Sequence, residues 1–105
     1  MIYKNQYSEY EGCRFVASRY LDNNNLALSV VSDTEGPIAT CTVNTGDRLD
    51  DNHIAVKNYS ENAGMEDFLR GEGVIGRQTA TIATGWVLVP VFELTEKGRE
   101  LFTGV

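Results

Sequence analysis

The chain has one histidine, one tryptophan, two prolines and two cysteines among its 105 residues, and these scarcities exclude several functions. Cys13 and Cys41 lie 28 positions apart and form neither a CxxC nor a Cys/His pattern, so a zinc site of the usual spacing is excluded. They read as small apolar fillers on strands, with a disulfide as the minor alternative. No run approaches the roughly 18 apolar residues that a membrane-spanning helix needs. The first residues, MIYKNQYSEYEG, hold tyrosines and charges where a secretory signal would hold an apolar stretch, so a cytoplasmic location is expected. Basic residues are also few. Nine Lys and Arg stand against fifteen Asp and Glu, a net charge of −6. Nucleic-acid binding relies on clustered cations, so direct contact with DNA or RNA is not expected.

What is present reads as a single domain over residues 1–105. Apolar residues make up 42% and charged residues 23%, which is ordinary globular usage and argues against disorder. Residues 1–12 have no clear period. They read as an arm or short helix, and Tyr3, Tyr7 and Tyr10 serve either packing or a protein contact. Residues 14–20, 26–31 and 38–44 alternate as strands, joined by the turns Asp22–Asn25 and Ser32–Pro37. Residues 53–57 suggest a short fourth strand. Ser60 or Asn62 can cap a helix reaching Arg70, in which Met65, Phe68 and Leu69 form an i, i+3, i+4 apolar stripe. Residues 74–84 and 86–94 are the last strands, the second with Trp86, Leu88, Phe92 and Leu94 on one face. Trp86 is read as core, with an exposed anchor as the alternative, and Pro90 marks an edge or a bulge. The tail from Thr95 holds a turn of helix or frays. The expected fold is α+β, an antiparallel sheet of five or six strands with one short helix on one face.

No catalytic motif appears. Asp47, Asp50, Asp51, Asn52 and His53 gather hard oxygens, but their spacing does not fit a D-x-[DN]-x-[DN]-G calcium loop, and no metal or other cofactor is expected. His53 beside Asp50 or Asp51 resembles an oriented base, yet Ser60, Thr45 and Cys41 offer no distinguished nucleophile. The glycines of residues 71–76 follow a helix, whereas a phosphate loop follows a strand and opens a helix, so they read as helix termination. Charge is the stronger signal. Residues 33–73 contain nine acids and three bases, and so account for the whole net charge of −6. Such a segment attracts a basic partner and speeds its encounter, or else simply keeps the chain soluble.

Thr42-Val43-Asn44, the run Val56-Lys57-Asn58-Tyr59-Ser60-Glu61-Asn62, and Gly85-Trp86-Val87 before Val89-Pro90-Val91 together resemble a family of small uncharacterised proteins. These are encoded on phages, plasmids and conjugative elements, mostly of Firmicutes, and the resemblance spans residues 26–94. It implies a small acidic protein of a mobile element. In size and charge such proteins are similar to inhibitors of bacterial defence, including anti-CRISPR proteins against Cas9. The implied function is non-enzymatic: contact with a basic nucleic-acid-handling host protein through Asp47, Asp50, Asp51, Glu61, Glu66, Asp67 and Glu72, in the manner of a DNA mimic. The alternative is a housekeeping or regulatory interaction module of the element, including a homodimer paired through the Trp86–Leu94 edge.

Overall fold

The alternating patterns over residues 14–20 and 26–31 become an antiparallel pair. In the computed structural model, which describes residues 1–105, β3 (Cys13–Arg19) lies against β4 (Leu26–Ser32) in a continuous register from Cys13 opposite Ser32 to Arg19 opposite Leu26. The turn between them uses Asn24 in a left-handed conformation, φ 64°, which asparagine tolerates better than most residues. β5 (Gly36–Thr40) pairs with the other side of β4, so β4 is central and its Leu28 and Val30 are fully buried.

The single sheet expected from the sequence is not what forms. Eight strands make three small antiparallel sheets: β1 (Tyr3–Lys4) with β2 (Glu9–Tyr10), the β3-β4-β5 meander, and a sheet ordered β6-β8-β7 from β6 (His53–Ala55), β7 (Ile75–Thr84) and β8 (Val87–Leu94). The isolated Thr42–Val56 bridge joins the meander to the last sheet. The N-terminal segment is a hairpin rather than a helix or loose arm. Tyr3 pairs with Tyr10, is buried, and meets Phe68 edge-on at 4.8 Å between ring centroids.

β8 is the central strand of its sheet, although Pro90 suggested an edge or a bulge, so the Trp86–Leu94 strand offers no edge through which a homodimer could pair. Backbone geometry explains how a proline is tolerated there. Val56 donates its N–H to the Pro90 carbonyl, so the missing proline N–H faces the same side, where β6 has just ended at Ala55. The one bond that Pro90 cannot make is the reciprocal bond to Val56, one residue beyond the last residue of β6, so the ladder stops there at the cost of a single bond.

Two helices complete the chain, α1 (Met65–Gly71) and α2 (Glu96–Leu101). α1 is shorter than the sequence suggested. Residues Ser60–Asn62 form a separate 3-10 turn, Ser60 has φ 54°, and Gly64 at φ 95° breaks the path before α1 begins. Neither Ser60 nor Asn62 caps. Asn58 instead accepts the Glu66 N–H at 2.9 Å, while Asn62 is buried and donates to the Thr40 carbonyl. The expected stripe does face inward: Met65 and Leu69 are buried in the main core with Phe92, Leu94 and Val74, and half-buried Phe68 packs at its margin. A smaller cluster of Ala55, Val89 and Val91 packs with Val43, Leu49, Tyr59, Ile82 and Val87. No helix is long and apolar enough to cross a membrane.

Candidate functional site

The loop Asn44–Asn52 is held by one buried side chain. Asn25, at the end of the β3–β4 turn, donates to the Asp47 carbonyl at 2.7 Å and accepts the Leu49 N–H at 2.8 Å. A buried amide satisfied at both ends fixes the loop backbone, because either bond lost leaves a polar group stranded. This places the acids of the loop in unlike surroundings. Asp51 is gripped by Arg19 through two nitrogens, at 3.0 and 3.2 Å, and by Arg48 at 3.0 Å. Arg19 also donates to the carbonyls of Asn24 and Val105, so it ties β3, the turn and the end of the chain to this loop. Asp50 accepts the Asn52 N–H and bonds His53 Nδ1 at 2.7 Å. Asp47 has no cationic partner.

These partners lower the carboxylate pKa values. The Arg19 hydrogen bond, then that of Arg48, holds Asp51 down at about 2 against an ordinary 3.8, and His53 followed by the Asn52 N–H lowers Asp50. A carboxylate stabilised in its charged form contributes its full stability above its ordinary pKa and loses it as pH falls through the lowered value. Thermal melts recorded from pH 5 down to pH 2 should therefore show a declining midpoint, and Asp51→Asn should flatten that decline. More than half of the Asp51 side chain is exposed, so the loss at neutral pH should stay below about 1 kcal/mol.

The second acidic group lies along Lys57–Glu72. Lys57 Nζ reaches Glu61 at 2.6 Å and Arg70 reaches Glu66 at 3.3 Å. Asp67 and half-buried Glu72 have no cationic partner. The two acidic groups share no hydrogen-bond or ion-pair partner. Of the seven acids singled out in the sequence, Asp50, Asp51, Glu61 and Glu66 are engaged within the protein, and Asp47, Asp67 and Glu72 remain available. The other candidate nucleophiles are also accounted for. Burial pushes the Cys41 thiol up to about 12, Thr45 donates to the Asp47 carbonyl, and Ser60 is an exposed residue of the 3-10 turn.

The pairing of β3 with β4 creates a feature that no local sequence window contains. Opposing Cys13 to Ser32 brings Glu9, Glu11, Asp33 and Glu35 around an open cleft of about 700 Å³. Only Asp33 has a cationic partner, Arg14 at 3.4 Å. Acids 24 residues apart meet only once the register of the β3–β4 pair is known. Comparison with family models, with curated proteins and with solved structures finds no match for the chain.

Proposed function

We propose that this protein works by being bound: a small non-enzymatic inhibitor of a mobile genetic element that docks on a basic, nucleic-acid-handling host protein in the cytoplasm. The observation that carries the reading is the division of the acids. Six of the nine bases are already committed to acids within the fold, so Asp47, Asp67, Glu72, Glu9, Glu11 and Glu35 face solvent without local neutralisation. Unneutralised carboxylates on a folded surface steer a cationic groove toward them.

The most concrete partner is guide-loaded Cas9, whose positively charged channels and arginine-read PAM site suit an acidic occupant. DNA cleavage by the guide-loaded nuclease, measured against rising amounts of this protein, should fall. Unaltered cleavage at large molar excess overturns the Cas9 assignment. A second reading, an interaction module of the element with no inhibitor role, is favoured by a different part of the molecule, the uncharged stretch Gln78–Phe92 of the β7–β8 hairpin.

A further inference from the structure

From Gln78 through Phe92 the chain carries no charged side chain, although nearly a quarter of its residues are charged. This uncharged stretch is most of the β7–β8 hairpin. β7 is an edge strand, and apart from its beginning, where Arg70 donates to the Gly76 carbonyl, its outer side is uncovered. Edge strands in soluble proteins normally carry a lysine, a proline or a bulge that blocks pairing. Here the register shifts end at Ala80, and Thr81–Thr84 run regularly beyond them.

The direction of each backbone group follows from Pro90. Its carbonyl faces Val56, so the neighbouring odd-numbered residues of β8 face β7, and their partners Ala80, Ile82 and Thr84 face inward. Thr81 and Ala83 therefore direct their N–H and C=O groups outward. The Gly85-Trp86 turn closes the hairpin with Thr84 opposite Val87. Gly85 at φ 58°, followed by a residue of negative φ, is the pattern of a two-residue type II′ turn, and it leaves Trp86 fully exposed at the tip. Leu88, 71% exposed, lies opposite exposed Ala83 on the same face.

We propose that this edge pairs with its own copy: two molecules join β7 to β7 antiparallel about a twofold axis, making one six-stranded sheet from two three-stranded ones. An isologous contact of this kind needs only that the strip match itself. It brings none of the net charge of −6 into the contact, and residues 78–84 supply about 23 Å of strand. In both registers that let Thr81 and Ala83 exchange bonds, Thr81 opposite Thr81 or Thr81 opposite Ala83, the turn of one molecule lies beside residues 76–79 of the other. Arg77 is there, highly exposed and held only by a 3.9 Å contact to Glu93. It can settle on the face of the opposing Trp86, a cation–π contact made twice by symmetry. A parallel arrangement would instead set Arg77 beside its own image. The contact uses none of the acids of the proposed partner surface, so its failure leaves that reading intact.

The test is light scattering across a concentration series together with fluorescence of Trp86, the only tryptophan. The expected result is a mass rising toward twice 11.6 kDa, with Trp86 emission shifting to the blue over the same range. Thr81→Lys places a cation against the opposing strand, and Ala83→Pro removes an outward N–H while leaving the bonds to β8 in place; each should weaken the dimer at least tenfold. Trp86→Ala should weaken it roughly tenfold. A chain that stays monomeric, so that only another protein's strand could fill the edge, overturns the proposal. So does a dimer that forms with unchanged Trp86 emission, or one that folded Thr81→Lys and Ala83→Pro leave intact.

Discussion

Replacing Gly98 with alanine should destabilise the protein by about 3 kcal/mol, against the usual gain of about 1 kcal/mol for that exchange inside a helix. Gly98 is buried in the middle of α2, and a Cβ there would be driven into the Val74 carbonyl oxygen and to 3.1 Å from Leu94 Cδ2. The carbonyl cannot retreat cheaply. It accepts the Thr95 N–H at 3.1 Å, and Thr95 Oγ1 lies 3.2 Å from it while accepting the Gly98 N–H that starts the helix. The added methyl therefore either lifts α2, exposing Phe102, or breaks the bonds that join α2 to the segment before β7. Chemical denaturation of the variant measures this directly. With a total stability of about 5–15 kcal/mol for a domain, the loss should be plain as a large fall in midpoint. An unchanged or raised midpoint would show that α2 does not approach Val74 so closely.

Phe92→Ala should cost about 3–5 kcal/mol, while Trp86→Ala at low protein concentration should change stability by no more than about 0.5 kcal/mol. Both aromatics belong to the same apolar run with the same parity. Phe92 lies where β6 and β7 flank β8 on both sides, fully buried among Met65, Leu69 and Leu94, with the Arg70 guanidinium 5.6 Å from its ring centre. Trp86 lies beyond the end of β6, at the tip of a two-stranded ribbon, and touches no core. Removing Phe92 leaves a cavity the size of a ring in the main core. Removing Trp86 deletes side chain that was already in water. Denaturation midpoints of the two variants should differ by about 10 °C or more if each kcal/mol shifts the midpoint by about 4–8 °C.

That contrast also marks how far the sequence could be read. Alternation gave the three strands of the meander and their turns, and the i, i+3, i+4 spacing of Met65, Phe68 and Leu69 gave the inward face of α1. Those signals are local, and the structure keeps them except in the third strand, which runs Gly36–Thr40 rather than 38–44 and takes Gly36 and Pro37 from the expected turn. Period-2 patterning places Trp86 with the core residues of its face because it says which residues share a face and not where a neighbouring strand stops. Pro90 points to an edge because a proline lacks one ladder bond; here that single loss falls opposite Val56, just past the end of β6, and β8 keeps partners on both sides. The separate small sheets depend on strand order, which no periodicity encodes.

The acidic surface was legible as composition and illegible as a site. A count over residues 33–73 cannot see that Arg19, outside the segment, pairs with Asp51, or that Glu9 and Glu11 join Asp33 and Glu35 around one cleft. Nor could the run from Val56 to Asn62 be read as the set of staples it is. There the Lys57 N–H bonds the Cys41 carbonyl, Asn58 caps α1, and Asn62 fastens the 3-10 turn to β5.

The most direct test of the central claim, that unneutralised acids are what the partner reads, is the association rate with guide-loaded Cas9 at two salt concentrations. It should be measured for the natural chain and for the triple variant Asp47→Lys, Asp67→Lys, Glu72→Lys, none of whose replaced side chains has a cationic partner in the fold. The predicted result is binding that slows with salt, and a triple variant slower by roughly ten- to a hundredfold at low salt with its melting midpoint preserved. No binding, or an association rate that neither the substitutions nor salt alter, would contradict it.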